Sequence, residues 1–436
     1  MLDKIFSKIE RFVPRRWRWI LEHEGFKRYF ANTGWLFGGQ IFSLIISFFV
    51  GIWIARYLGP GNYGILNYAL SFAGLFSLVA GFGIDGILTR DFVRHPEKTA
   101  EFFGTGSVIK FASGALAWAL STIAAFIFIP EFLPRLLVSL FSLSFIFQGF
   151  NIVDSFFRSR VEARYSVQAQ VLAAVVASLL KILVIILGGG VIWLIAAYVI
   201  EILCVGIALR LIYLRRRFKF GPWRWNFVLA KQMLRLSWPL MLSGVSAFFL
   251  LKIDQVLLAN FISESAVGLY AAGAKLTEVW YFIPGIICSS LFPAIVRARS
   301  GDQKLFKQRL RSLYLLLLFL AVIIAVPLSL LAKPLVFLMF GEAYRATGPI
   351  AAVYIWSIVG WFLSYAVWTR FIIENRSGLV FFASFLPLVL NVALNLWWIP
   401  IYGSIGSAWA TVVAYSAGAL FIFYKDDKNE SPLNYN

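Results

Sequence analysis

Twelve stretches of mostly apolar residues fill this chain almost end to end: 34–55, 64–88, 106–129, 134–155, 166–188, 191–213, 236–259, 266–293, 312–331, 346–369, 377–399 and 402–424. A helix crosses the hydrocarbon core with about 20 such residues. The segments between the stretches are short, and none holds a folded extramembrane domain. Hydrophobic residues make up 60% of the chain and charged ones 14%, against roughly 45–50% and about 25% in soluble domains. The fold class that follows is an all-α polytopic membrane protein of about 12 transmembrane helices.

The formal net charge of +19 does not point to nucleic acid, because the basic residues follow the topology. With the N-terminus in the cytoplasm, 32 of the 40 lysines and arginines fall at inner ends and loops and four at outer ones; four lysines lie within spans. That asymmetry is the positive-inside pattern, and it places both termini in the cytoplasm. The division expected is a basic amphipathic segment over 1–33, a six-helix bundle over 34–214, a basic linker over 215–235, a second six-helix bundle over 236–424, and a tail over 425–436. The linker sequence RRRFKFGPWRW suits an inner surface rich in anionic headgroups. Cys204 and Cys288 stand singly inside apolar runs and form neither a metal pattern nor a disulfide framework.

The two halves carry a weak internal repeat. ARYLGPGNYGIL (55–66) aligns without gaps with ANFISESAVGLY (259–270), matching Gly64 to Gly268; Arg158, Glu162 and Arg164 match Arg370, Glu374 and Arg376. Six spans per half make the repeats parallel, and transporters of such a build place the substrate path in a cavity between the halves.

Nine ionisable residues within or at the ends of spans need a reason to be there, since a charge at mid-membrane costs about 2.5–3.5 kcal/mol on insertion scales. Asp85, Lys110 and Asp154 lie near inner ends, from which long side chains reach the interface. Glu201, near the middle of span 6, either pairs with a lysine on a neighbouring span, for example Lys181, or serves function. Lys252 and Asp254 in span 7, and Lys275 and Glu278 in span 8, lie at similar depths in the outer half. Lys275 and Glu278 share a helix face, whereas Asp254 is turned about 200° from Lys252. Their first-half counterparts are Phe48, Val50, Ser71 and Gly74, so the charges belong to one half only and favour a functional cavity over a folding need. Prolines at 239, 284, 293, 327 and 387 permit kinks. Trp280, Tyr281, Tyr270 and Trp361 are candidates for stacking on sugar rings. No phosphate-binding loop, HExxH motif or serine–histidine–acid set is present, which argues against an enzyme.

The strings ARYLGPGNYGILNYALSF, GFGIDGILTRDFVRHPEK, KIDQVLLANF with AVGLYAAGAKLTEVWYFIPGII, and LVFLMFGEAYRA resemble the Wzx-type polysaccharide flippases of the multidrug/oligosaccharidyl-lipid/polysaccharide exporter superfamily. The resemblance covers nearly the whole chain and is most specific over spans 7 and 8. It implies two parallel six-helix bundles around a cationic cavity. Its implied role is transfer of an undecaprenyl-diphosphate-linked oligosaccharide from the inner to the outer leaflet of the bacterial cytoplasmic membrane by alternating access. On that likeness Lys252 and Lys275, with Lys181 as a weaker third, contact the anionic headgroup or acidic sugars. Asp254 and Glu278 orient the lysines or carry a coupling proton or sodium ion, and Glu201 is a supporting charge. Arg56 and Arg90 anchor to headgroups. The partners implied are the polyprenyl-diphosphate glycan, membrane lipid, and a polysaccharide polymerase with other glycan-assembly proteins; no further cofactor is implied. The alternative is a cation-coupled multidrug exporter of the same superfamily, for which Asp85 is a poor match to an acidic first-half cavity. A major-facilitator sugar transporter does not fit GFGIDGILTRD, and a non-transporting scaffold for glycan enzymes is the reading from a different class.

Overall fold

The computed structural model describes residues 24–216, 223–374 and 376–423. Most of the N-terminal amphipathic segment, the middle of the basic linker and the C-terminal tail lie outside the described residues.

The described residues form helices and turns, with no strand among them. In chain order the helices are α1 (Glu24–Gly74), α2 (Ser77–Gly81), α3 (Asp85–Arg94), α4 (Thr99–Phe128), α5 (Phe132–Ser142), α6 (Ser144–Phe147), α7 (Ile152–Ser159), α8 (Ala163–Ile186), α9 (Val191–Arg215), α10 (Phe227–Phe261), α11 (Glu264–Glu278), α12 (Ile283–Gly301), α13 (Gln303–Leu330), α14 (Ala332–Phe340), α15 (Thr347–Tyr354), α16 (Ser357–Ile373) and α17 (Ser377–Ala419). Ten stretches of the described residues are long and apolar enough to cross a membrane. The chain is a multi-pass membrane protein. Two of the ten each run across the gap between two expected spans: Gly34–Gly74 covers the first span and the start of the second, and Gly378–Ala419 covers most of the last two. Each carries one residue outside helical conformation, Gly59 (φ 68°, ψ 172°) and Gly403 (φ 61°, ψ −143°). Positive φ is open to glycine because it has no Cβ to clash with the carbonyl. The second expected span, 64–88, is broken: its helix ends at Gly74, and α2 and the start of α3 carry the rest.

Chain contacts divide the molecule into two units. The first comprises Met1–Leu58 and Ala69–Gly244. Its core is aromatic: Phe103 packs against Phe92 (5.1 Å between centroids), Phe156 (5.2 Å) and Tyr213 (5.4 Å). The described end of the basic linker is pinned to α4. A Cβ on Gly104 would lie 2.4 Å from the Arg224 carbonyl oxygen, so the linker backbone rests on bare glycine. Asn226 accepts from Leu229 N at 3.1 Å and so caps α10. Trp223 stacks on Phe103 (5.5 Å, 13°), with Arg210 over its ring.

The second unit comprises Gly59–Tyr68 and Val245–Asn436. The unit boundary therefore falls inside the continuous helix α10, and Lys252 and Asp254 lie on its second-unit part. The core joins α12, α13 and α16 through Cys288, Phe306, Leu313, Leu317 and Phe362. Segment 59–68 crosses α11 at Gly64 and Gly268, the two glycines the internal repeat pairs. The expected kink at Pro284 is instead a full break. Helix α11 stops at Glu278, α12 begins at Ile283, and Pro284 sits in its first turn, where its missing N–H costs nothing.

Candidate functional site

Asp254 is 1% exposed, on an apolar helix, and its hydrogen-bond partners are all neutral. Asn395 donates through Nδ2 to Oδ1 at 2.8 Å. Tyr270 and Thr411 each place a hydroxyl 2.5 Å from Oδ2. These partners come from two helices. Tyr270 projects from α11, directly after the turn at Ile262 and Ser263, and its ring meets Tyr354 edge-on at 5.4 Å. Asn395 and Thr411 both belong to α17, sixteen residues apart. In a straight helix they would stand about 24 Å apart. The reversal at Gly403 brings both to one carboxylate.

Several polar groups of the cluster share hydrogen-bond partners. Asn395 Nδ2, with two hydrogens, faces Asp254 Oδ1, the Asn391 carbonyl (2.9 Å) and Asn391 Oδ1 (3.1 Å). The single hydroxyl hydrogen of Thr411 faces Asp254 Oδ2 and the Ser407 carbonyl (3.1 Å). Asn391 Nδ2, Asn395 Oδ1 and Ser407 Oγ are buried with no hydrogen-bond partner. A buried carboxylate with no cationic neighbour in its hydrogen-bond shell is costly, and one added positive charge would offset that cost. The set fits a small monovalent cation: one carboxylate and several neutral oxygens, all hard donors. No group of three or more His, Cys, Asp or Glu that could hold a metal ion occurs among the described residues.

Lys252, two residues earlier, points elsewhere, as the 200° offset requires. Its Nζ lies 3.2 Å from both carboxylate oxygens of Glu278. The side chains are 22% and 25% exposed, so the pair is half open to its surroundings. Glu278 is the last residue of α11, at the break. The break frees backbone carbonyls, and the Trp361 indole N–H takes up that of Tyr281 at 3.0 Å. Lys275 is half-buried one turn before Glu278 on α11.

In the first unit Lys181 donates to Glu201 at 2.6 Å and sits 3.6 Å from the centre of the Tyr198 ring. Its charge is taken up on two sides. Lys110 is covered by its own unit but ends on the exposed carboxylate of Asp85, which is 56% exposed. The Lys110 side chain is 3% exposed and pairs with Asp85 at 2.5 Å, and Ser155 donates to the same oxygen at 2.9 Å. Asp154 pairs with Arg158 one turn on, at 2.8 Å. Arg56 is exposed on α1, and Arg90 lies 2.7 Å from its neighbour Asp91. Of the aromatic candidates, Tyr270 is spent on Asp254. Tyr281 and Trp361 stack on each other (4.7 Å, 17°), each giving one face to the other.

Sequence reasoning singled out Asp254 but missed Asn391, Asn395, Ser407 and Thr411. A signal for the asparagines was present: NVALN (391–395) sets two amides one turn apart on a single face of an apolar run.

Comparison with known proteins places the chain. A family model described as polysaccharide biosynthesis protein matches residues 29–299. The chain is 24% identical over 399 residues to the probable flippase AglR of Haloferax volcanii, covering 88% of this chain and 80% of that protein. Its fold is similar to lipid II flippase MurJ in an inward closed conformation (TM-score 0.71, 18% identity, 88% of this chain and 86% of that one). It is equally similar to an inward-facing multidrug resistance MATE family transporter of the MOP superfamily (TM-score 0.72, 14% identity, 88% and 93%). With its membrane helices and that model matched over more than half its length, the chain belongs to the polysaccharide biosynthesis protein family.

Proposed function

We propose that this transporter is a flippase that carries a polyprenyl-diphosphate-linked oligosaccharide from the inner to the outer leaflet by alternating access, for surface polysaccharide assembly. In a bacterial cytoplasmic membrane the carrier would be undecaprenyl diphosphate, with both termini on the cytoplasmic side. The family match over residues 29–299 carries this reading, and the flippase among its relatives supports it. The fold likeness alone serves a lipid flippase and a multidrug exporter equally.

Within this reading Asp254 is the coupling site. It takes a proton or a sodium ion, with Asn395, Thr411 and Tyr270 as the neutral shell. Lys252, with Lys275, meets the anionic diphosphate or acidic sugars. The Lys252–Glu278 pair supports this: a half-open ion pair exchanges its carboxylate for a phosphate oxygen with little net desolvation, whereas a bare buried lysine would not persist unpaired. Lys181 and Glu201 act as a clamp between α8 and α9, and Arg56 and Arg90 hold to headgroups.

The test is leaflet transfer of a polyprenyl-diphosphate oligosaccharide in proteoliposomes. The intact protein transfers it, and folded Lys252→Ala and Lys275→Ala variants do not. Drug efflux without glycan transfer, in the same vesicles, would replace the reading with the exporter.

A further inference from the structure

The strap that leads into α10, residues 223–226, is held by its backbone. Arg224 N–H donates to the Ala100 carbonyl at 3.3 Å, and Asn226 N–H donates to Thr105 Oγ1 at 3.0 Å. The Asn226 amide donates to Glu101 at 3.2 Å, so that carboxylate already has a partner. Trp223, stacked on Phe103, completes the attachment to the start of α4. Two side chains of the strap are left in the open, those of Arg224 and Trp225.

The first turns of α10 continue the same surface. Ala230, Met233 and Ser237 recur at helical spacing and are buried. Ala230 and Met233 belong to the aromatic core of the first unit. On the opposite face Lys231 and Arg235 stand one turn apart, both exposed. One turn from these two stand Phe227 and Val228, 70% and 75% exposed, and the exposed Trp238. Arg224, Lys231 and Arg235 form no ion pair among the described residues.

Neither water nor hydrocarbon suits this face. Its exposed rings and aliphatic groups are unfavourable in water, and its cations are costly among lipid tails. The headgroup layer satisfies both, because tryptophan is enriched there and lysine and arginine meet phosphate. Farther along the same helix, Gly244–Phe261 is long and apolar enough to cross a membrane, so the face lies next to the membrane surface. A zwitterionic headgroup carries its own cation. Three cations without an acid are better matched by net negative charge.

We propose that this face, with Arg224 and Trp225 of the strap, binds the headgroups of anionic phospholipids on the side that the basic residues make cytoplasmic. Helix α10 also carries Lys252 and Asp254, so the lipid seats the near end of the helix that bears them. Such binding is independent of what the protein transports.

The experiment uses the full chain in phosphatidylcholine vesicles with a trace of phosphatidylglycerol that bears a diazirine near its headgroup. The vesicles are photolysed and adducts mapped by peptide mass spectrometry. Adducts are expected on peptides covering 224–238. Exchange of part of the phosphatidylcholine for unlabelled phosphatidylglycerol should lower them about tenfold, and for phosphatidylethanolamine should leave them within about twofold. Arg224→Gln, Lys231→Gln and Arg235→Gln combined should lower labelling about tenfold. Lys304→Gln, Lys307→Gln and Arg311→Gln combined, an equal loss of exposed charge on α13, should leave it within about twofold. Should the first variant fail to fold, about 1 M salt on the intact chain should lower labelling about threefold or more. Equal displacement by phosphatidylethanolamine would make the face an ordinary lipid contact and overturn the proposal. So would an equal loss in the α13 variant, or displacement by a polyprenyl diphosphate at concentrations where phosphatidylglycerol has no effect. Absence of adducts on 224–238 would leave the face to an acidic protein partner and overturn it as well.

Discussion

Gly64 and Gly268 pass each other with no room for a methyl group on either. A Cβ on Gly64 would lie 1.7 Å from the Glu264 carbonyl oxygen, and one on Gly268 1.9 Å from that of Pro60. The atoms in the way are backbone, which cannot rotate aside. Small residues at such crossings let helix backbones touch where lipid offers no hydrophobic drive for association. Gly64→Ala and Gly268→Ala are each expected to destabilise the second unit by about 1–3 kcal/mol or more, since overpacking here must separate two helices. Thermal unfolding in detergent checks this. A Tm unchanged in both variants would show that the crossing is looser than the geometry implies.

The Asp254 cluster predicts a cation dependence. If sodium is the ion, it should stabilise the intact protein against unfolding by about 2.7 kcal/mol at a hundredfold excess over its Kd. Potassium at equal ionic strength should do less. Asp254→Asn, close in shape but uncharged, should lose the sodium effect and the coupled transfer. Thr411→Val and Asn395→Leu should weaken both. An intact protein indifferent to sodium, whose transfer follows an imposed proton gradient, would assign the proton instead.

Lys252 and Glu278 should behave as one unit. Removing either leaves the other half-buried and unpaired. Lys252→Met and Glu278→Gln together should therefore cost less stability than the sum of the singles, with a coupling of about 0.5–3 kcal/mol. Transfer separates the roles: Glu278→Gln retains a cation for the diphosphate, and Lys252→Met does not. Equal loss of transfer in both singles, at normal folding, would leave Lys252 as a structural partner only.

Lys181 and Glu201 predict the opposite pattern. Lys181→Met removes a cation that Glu201 and the Tyr198 ring both use, and Glu201 remains with little water to receive it. Glu201 is 27% exposed, so solvent screens part of the loss, and a cost of about 1–3 kcal/mol is expected. Transfer per folded molecule should persist. A variant of normal Tm that no longer transfers would return Lys181 to the substrate path.

The sequence by itself determined the class. Apolar stretches of membrane length admit helices, because a backbone in hydrocarbon must satisfy its own hydrogen bonds. Hydropathy also marked most of the apolar stretches, though it missed the interruption of 64–88 after Gly74. It could not show that two pairs of them are continuous runs turned at Gly59 and Gly403, since the turn depends on φ rather than on polarity. The paired charges were legible as anomalies. Which partner each found was not: Lys275 and Glu278 share a face in sequence, yet Glu278 meets Lys252 from another helix, and Lys110 is held by the exposed carboxylate of Asp85. The polar shell of Asp254 lay furthest from reach. Asn395 and Thr411 are 141 and 157 residues away from it in the chain, and neither is costly enough in an apolar run to announce itself. Only the tertiary structure, by folding α17 back at Gly403, gathers weak neutral donors from distant positions around one carboxylate. A polar site in a membrane is made by convergence, which no local pattern records.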